Sequence, residues 1–445
     1  MKYFGTDGIR GSFGKTPITK DFFYHLGRAL GVYLDQLSIR NNREVFVGRD
    51  TRDSGLGLEI AFTHGISEYG YQVYSLGGVP TPAISRYVKE RQGTLGVAIT
   101  ASHNPPSDNG IKFFDSRGFK LSIDQETAIE RCIETLEKVQ IPTYLNKIVS
   151  IDNSLTSYIN SIKRSFSTLC LKGKKIILDC SNGATSISSP EIIKALGADL
   201  LTLNYQPNGS NINSECGSEN PEKTTQSVID QKAVIGLAHD GDGDRVIFCD
   251  ETGSLVDGDE ILGILAIAQK RNVPTFKTLV VTQQSNSGLD ASLKKKGIKV
   301  IRTDIGDRFV AAKMREIGSS VGGESSGHII LNNFSPTGDG IVAALQVLTI
   351  MQQKDMPLSG LRKEINLYPQ LNKNIQVKQK LPLEFCKPIL DCQKEIEKSF
   401  NKKGRVLIRY SGTEPKLRIL VEYPEKHLAT IAMEKLTTAS LQCLT

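Results

Sequence analysis

The chain has 445 residues, with 55 Lys plus Arg against 48 Asp plus Glu, a formal net charge of +7. Hydrophobic residues make up 39% and charged residues 23%, ordinary globular usage that excludes wholesale disorder. The positive excess is spread along the length, and runs such as 294–296 are short solvated faces, so no nucleic-acid partner is expected. At about 150 residues per domain the length suggests roughly three domains, with two to four all compatible. No apolar stretch reaches about 18 residues, and 261–268 suits a buried helix, so no membrane association is expected. The opening Met1-Lys2-Tyr3-Phe4-Gly5-Thr6-Asp7-Gly8 lacks an apolar signal segment, and none of the eight cysteines forms a C-x-x-C pair. The expectation is a chain of the reducing cytoplasm with no zinc ribbon or redox motif. Monomer and homodimer are both left open.

In chain order, Phe22, Leu26, Ala29, Leu30, Tyr33, Leu34 and Leu37 recur at helical spacing behind a cap residue, Thr19. A strand at 44–47, a helix at 54–69, a strand at 71–76, a helix after Pro82 and a strand at 94–100 follow. That βαβαβ alternation predicts a mostly parallel sheet covered by helices. The pattern returns with strands at 175–178, 199–203 and 233–238 and a helix at 190–196. It returns again with helices at 260–269, 289–296, 309–317 and 339–351 around strands at 278–282 and 299–301. After Tyr368-Pro369 the grammar changes to strands at 375–377, 406–410 and 417–422 with helices at 388–400 and from Lys426. The expected fold class is α/β: three similar domains of mixed or parallel sheet plus a smaller C-terminal α+β domain, around a central cleft. The domains are read as 1–150, 151–253, 254–366 and 367–445, with joints near 140–156, 250–258 and 354–373, each rich in Pro, Gly or polar residues.

Four motifs sit after or beside apolar strands, where ligands gather in open α/β sheets. Thr100-Ala101-Ser102-His103-Asn104-Pro105-Pro106 favours a tight exposed turn, in which Ser102 is a candidate nucleophile; alone, the stretch reads more readily as a plain turn. His103 is adjacent to Ser102, and neighbouring side chains rarely reach one ligand, so no triad is built on it. Asp240-Gly241-Asp242-Gly243-Asp244-Arg245 aims three carboxylates at one point. Each like-charge pair at about 4 Å repels by roughly 4 kcal/mol at an effective dielectric of about 20, so the cluster needs a cation, and hard oxygen ligands select Mg²⁺ or Ca²⁺. Asp240, Asp242, Asp244 and Glu251 also fit positions 1, 3, 5 and 12 of an EF-hand loop, but Arg245 stands where that loop needs Gly and the flanks read as strands. A Mg²⁺ site with Arg245 near a phosphate is preferred. Gly322-Gly323-Glu324-Ser325-Ser326-Gly327-His328 would let Glu324 and Ser326 meet sugar hydroxyls, with His328 a candidate acid or base because its ordinary pKa lies near neutrality; alone, a flexible turn fits as well. Arg409-Tyr410-Ser411-Gly412-Thr413-Glu414-Pro415 with Arg418 offers amides, hydroxyls and guanidinium groups for a phosphate, and is equally a β-hairpin connection. The set together reads as a phosphoryl-transfer site for a phosphosugar.

These stretches, with Phe4-Gly5-Thr6-Asp7-Gly8-Ile9-Arg10-Gly11 and Asp108-Asn109-Gly110-Ile111-Lys112, resemble the α-D-phosphohexomutase superfamily, most closely its phosphoglucosamine mutase branch, over nearly the whole chain in order. The resemblance implies an isomerase that interconverts glucosamine 6-phosphate and glucosamine 1-phosphate and feeds amino-sugar nucleotide and cell-wall precursor synthesis. Ser102 would carry the phosphoryl group, and glucosamine 1,6-bisphosphate would be intermediate and activator. It implies that Asp240, Asp242, Asp244 and the Ser102 phosphate hold Mg²⁺ and that Glu324 and Ser326 grasp the sugar. Arg409, Ser411, Gly412, Thr413 and Arg418 would bind the phosphate that is not reacting. Arg10, Lys112, Arg245 and His328 would serve charge stabilisation and proton transfer. Two residues depart from the usual pattern: His239 before the Asp loop, and Ser325 in the sugar loop. A phosphomannomutase or phosphoglucomutase of the same mechanism is the nearest rival. A phosphosugar sensor without catalysis is a more distant one, disfavoured by the presence of Ser102 and all three Asp.

Overall fold

The computed structural model of the chain describes residues 1–37, 43–142, 148–401, 403–411 and 415–444. They group into two compact units, Met1–Gln284 with Ile301–Lys363, and Ser285–Val300 with Glu364–Thr445.

The first unit carries three sheets. The first contains β1 (Ile9–Ser12), β2 (Glu44–Arg49), β3 (Gln72–Gly78), β4 (Leu95–Ile99), β5 (Asp108–Phe114) and β6 (Val149–Ser150), in the order β1-β5-β4-β2-β3-β6. Strands β4, β2, β3 and β6 are parallel, while β5 and β1 run antiparallel to their neighbours. The sheet is therefore mixed, with a parallel core. Its helices are α1 (Lys20–Gln36), α2 (Ser54–Ser67), α3 (Thr81–Arg91) and α4 (Ile123–Thr135). Helix α1 starts where the Thr19 hydroxyl accepts the Phe22 amide at 3.2 Å, and it buries Phe23, Leu26 and Leu30. Gly27 and Gly65 let α1 and α2 approach backbone to backbone: a Cβ at Gly27 would strike the Phe62 carbonyl, and one at Gly65 the Tyr24 carbonyl.

The second sheet holds β7 (Lys175–Asp179), β8 (Asp199–Leu203), β9 (Ile235–His239), β10 (Val246–Asp250) and β11 (Leu255–Val256), ordered β11-β10-β9-β7-β8, with α5 (Ser154–Ser165), α6 (Ser188–Ala195) and α7 (Glu222–Gln231). His239 of β9 pairs with Val246 of β10, which closes 240–245 into a hairpin loop. The last part of the chain's α/β region runs α8 (Gly258–Asn272), β12 (Thr278–Thr282), α9 (Gly288–Lys294), β13 (Lys299–Thr303), α10 (Asp307–Ile317), β14 (Val321–Gly323), β15 (Ile329–Leu331), α11 (Gly340–Lys354) and α12 (Leu358–Arg362). Its sheet order is β13-β12-β14-β15, and the antiparallel β14–β15 hairpin encloses 324–328.

The second unit contains α9, then β16 (Gln370–Gln376), α13 (Lys387–Phe400), β17 (Arg405–Tyr410), β18 (Lys416–Glu422) and α14 (Lys426–Leu444). Its sheet is antiparallel, β16-β18-β17, and packs Leu417, Ile419 and Val421 against Ile389, Ile396 and Leu436 of the helices. Among the described residues no helix is long and apolar enough to cross a membrane. All eight cysteines are unpaired.

Candidate active site

Ser102 lies just past the end of β4, beside the end of the parallel neighbour β2. It is fully buried and left-handed, with φ 53°. Non-glycine residues avoid that region, and one that persists there is held by its surroundings. The Ser102 amide donates to Thr100 Oγ1 at 2.8 Å, and its hydroxyl donates to Asp240 Oδ2 at 2.6 Å. A residue of the first sheet and one of the second, 138 positions apart, thus meet through their side chains.

The ligand oxygens of Asp240, Asp242 and Asp244 lie within 4.8 Å of one another, and all three residues are buried. Asp240 Oδ1 accepts the amides of Gly243 and Arg245 at 3.1 and 3.2 Å, which shapes the loop. Lys112 Nζ of β5 donates to Asp242 Oδ2 at 2.8 Å and Asp244 Oδ2 at 3.0 Å, and pairs with Asp7 at 3.1 Å. Burial works against its charge, but Asp242, Asp244 and Asp7 outweigh it and hold the ammonium well above the usual lysine value. Burial, with Asp244 and Asp242 adding to it, pushes Asp240 well above the usual carboxylate range. Asp242 Oδ1 and Asp244 Oδ1 remain buried without a hydrogen-bond partner. Carboxylate oxygens that accept no hydrogen bond, in a buried oxygen-only cluster, fit a hard dication. Glu251, the twelfth position of the EF-hand pattern, turns away and accepts the Ser359 amide at 3.3 Å.

Around this cluster runs a closed ring of alternating charge. Lys112 joins Asp7 and Asp244; His328 joins Asp244 (Nδ1 to Oδ1, 3.6 Å) and Asp307 (Nε2 to Oδ2, 3.1 Å); Lys120 joins Asp307 at 2.6 Å and returns to Asp7. Burial favours a neutral His328, but Asp307 and Asp244 outweigh it and lift its pKa to about 10. Nε2 faces both the Asp307 carboxylate at 3.1 Å and the Gly338 amide, which lies 3.2 Å from it in donor geometry. The candidate acid or base at His328 thus sits between two carboxylates that favour its charged ring. Burial, then Arg245 and Arg10, lower the His103 pKa to about 4, and its Nδ1 is buried without a partner.

A cavity of about 490 Å³ opens beside the ring, lined by Asp7, Arg10, His103, Arg245, Glu324, Ser326 and His328 among others. Glu324 Oε1 accepts the Gly306 amide at 3.1 Å, and Ser326 is exposed. Arg10 pairs with Asp7; Arg245 Nε, 4.0 Å from Asp244, makes no hydrogen bond, and neither does Arg10 Nε. Free guanidinium donors at a cavity suit an anionic ligand. The remaining motif lies in the second unit, where Arg409 and Arg418 are paired across β17 and β18 and Arg418 Nη2 donates to Ser411 Oγ at 3.3 Å. Burial, then Arg418, lower the Arg409 pKa. Gly412 and Thr413 lie outside the described residues.

Sequence reasoning assigned no role to Asp7, Lys120, Asp307 or Thr81, whose hydroxyl donates to Asp242 Oδ2 at 2.6 Å. It also missed Arg52 and Asn213, which donate to the Ser102 carbonyl at 3.1 and 2.8 Å. Only Asp7 carried a signal, as part of the quoted N-terminal stretch.

Four family models match the chain in order. They are described as phosphoglucomutase/phosphomannomutase α/β/α domains I, II and III, at residues 1–140, 156–253 and 257–368, and its C-terminal domain, at 365–436. Phosphoglucosamine mutase of Zymomonas mobilis is 43% identical over 96% of this chain and 96% of its own. The protein of the same name from Nitratidesulfovibrio vulgaris is 41% identical over 97% and 98%. Among solved structures, a phosphoglucomutase/phosphomannomutase family protein from Burkholderia thailandensis superposes with TM-score 0.82 at 23% identity, over 98% of this chain and 97% of that one. Aspergillus fumigatus N-acetylphosphoglucosamine mutase, in complex with GlcNAc-6P and magnesium, gives 0.67 at 17% over 100% and 96%, a likeness of fold.

Proposed function

The chain belongs to the phosphoglucomutase/phosphomannomutase family, the α-D-phosphohexomutases, and on that footing we propose that it interconverts glucosamine 6-phosphate and glucosamine 1-phosphate. The observation that carries the chemistry is the Ser102 hydroxyl, 2.6 Å from a buried aspartate trio and next in sequence to His103 on the cavity wall. The choice of glucosamine rests on relatives of that name at 41–43% identity over nearly their full length.

In this reading phosphorylated Ser102 gives its phosphoryl group to the free hydroxyl of the monophosphate: the Ser Oγ–P bond breaks and a sugar O–P bond forms. The 1,6-bisphosphate turns over, and its other phosphoryl group returns to Ser102. Such transfer needs positioning and neutralised charge more than covalent help. Asp240, Asp242 and Asp244 would hold Mg²⁺, which supplies Lewis-acid neutralisation of the phosphoryl oxygens when bound. Lys112 and His328, whose charged forms their carboxylate partners favour, bring positive charge to the site. Arg10 and Arg245 bring guanidinium donors to the cavity, and Glu324 and Ser326 meet sugar hydroxyls. Arg409, Ser411, Gly412, Thr413 and Arg418 bind the idle phosphate, reading the group and not the sugar, so either orientation is accepted. The domains 1–150, 151–253, 254–366 and 367–445 would each supply one loop, and the unpaired cysteines suit a reducing cytoplasm.

Ser102→Ala should abolish turnover and leave the circular dichroism spectrum unchanged, and intact mass should show a phosphorylated fraction in the parent protein alone. Substantial mutase activity in the variant would refute the relay. Relative kcat/KM on glucosamine, glucose and mannose phosphates tests the sugar: a preference for glucose or mannose would make the chain a phosphoglucomutase or phosphomannomutase of the same mechanism.

A further inference from the structure

Arg52 is a long cation with almost no exposed surface, and it does not line the cavity. Its five N–H bonds are all spent locally. Nε donates to Asp50 Oδ2 at 2.9 Å, Nη2 to the carbonyls of Ser102 and Asn104 at 3.1 and 2.8 Å, and Nη1 to the carbonyls of Asp108 and Pro105. Asn213, on a loop of the second-sheet region, adds Nδ2 to the same Ser102 and Asn104 carbonyls at 2.8 and 2.9 Å. The other side of the Ser102 peptide is held as well. Its amide donates to Thr100 Oγ1, whose hydroxyl donates to Asp50 Oδ2 at 2.6 Å. Gly241 of the Asp loop comes so close that a Cβ there would stand 2.7 Å from the Ser102 carbonyl oxygen.

We infer that Arg52, oriented by Asp50, and Asn213 are positioning residues: they lock the 102–108 turn so that Ser102 keeps its left-handed backbone and points Oγ at the aspartate trio. The inference rests on the reading of Ser102 as the phosphoryl relay. A strained φ relaxes unless its neighbours over-determine it, and here both the amide and the carbonyl of Ser102 are gripped. A planar fork can hold four carbonyls at once; a lysine ammonium with three donors on a flexible stem cannot. Asn213 is itself left-handed, at φ 56°, so Asp is the substitution that keeps shape and backbone there while exchanging the donor for an acceptor.

The test measures kcat and KM on glucosamine 1-phosphate with bisphosphate present, Ser102 phosphorylation by intact mass, and thermal melting, for the full chain and for Arg52→Lys, Asn213→Asp and Ser102→Ala. Arg52→Lys should lose roughly 10²-fold in kcat, and Asn213→Asp about tenfold, both with KM unchanged, because misplacement of the reacting group acts on turnover and neither residue meets the sugar. A purely structural role would lower the melting temperature with kcat per folded molecule intact, and that result overturns the inference. So does a rise in KM at constant kcat. Should Arg52→Lys fail to fold, Asn213→Asp, at a half-buried position, decides alone. If Ser102→Ala turns over like the parent, the relay reading itself fails; if only the two positioning variants do, the relay stands and the lock does not.

Discussion

Tyr158 donates its hydroxyl to both oxygens of Asp339 at 3.0 Å, and Asp339 caps α11 by accepting the Val342 amide at 3.2 Å. Burial pushes the Asp339 carboxyl up to about 6, against which these hydrogen bonds work only in part. The folded chain therefore prefers the protonated acid more than the unfolded chain does. That preference is fully present below the ordinary value of 3.8 and is lost as the pH rises through about 6. The difference corresponds to roughly 3 kcal/mol of stability. Asn keeps the size and the capping oxygen but does not ionise. Denaturant unfolding between about pH 4 and pH 7 should show the parent losing stability relative to Asp339→Asn by that order. Parallel pH curves for the two proteins would mean that Asp339 ionises as readily folded as unfolded.

At the scale of elements, the α1–α2 pair is fastened by what its glycines lack. Gly27 and Gly65 each put Cα where the other helix's carbonyl needs room. Gly65→Ala improves helix propensity by about 1 kcal/mol yet forces the helices apart, and overpacking of this kind costs about 1–3 kcal/mol or more. The net should be a lower melting temperature with kcat per folded molecule unchanged, since neither glycine lines the cavity. Such contacts leave little trace in a sequence, whereas α1 itself was plain from its apolar stripe and from Thr19. Strand β5 escaped notice for the opposite reason: it buries Asn109 and Lys112, residues that a hydrophobic pattern assigns to solvent. The triple-Asp loop was legible because mutual repulsion makes clustered carboxylates costly without a cation. Lys120 and Asp307 were not, because each alone reads as an ordinary solvated charge and acquires meaning only in the ring. His328 stood out in its glycine-rich loop and lines the cavity, but the charge it carries there depends on two carboxylates from distant parts of the chain.

Over the whole of the first unit, the site is where three sheets are joined. Asp7, Lys112 and Lys120 come from the first sheet's segment, Asp244 from the second, and Asp307 and His328 from the third. Truncating one member of such a buried network usually strands a charge. Asp242 is the exception. It lies off the ring, and without it Lys112 still meets Asp244 at 3.0 Å and Asp7 at 3.1 Å, so Asp242→Ala should fold. What it removes is one of the two trio oxygens left without a hydrogen bond, and with it one of the three carboxylates that would hold the ion. An ion that binds only the folded chain stabilises it, by about 2.7 kcal/mol at a hundred times its Kd. Mg²⁺ should therefore raise the melting temperature of the parent protein in a concentration-dependent way, and Asp242→Ala should respond far less over the same titration. An undiminished response in the variant would put the stabilising ion somewhere other than the aspartate trio, and the assignment of Asp240, Asp242 and Asp244 as its ligands would fall with it.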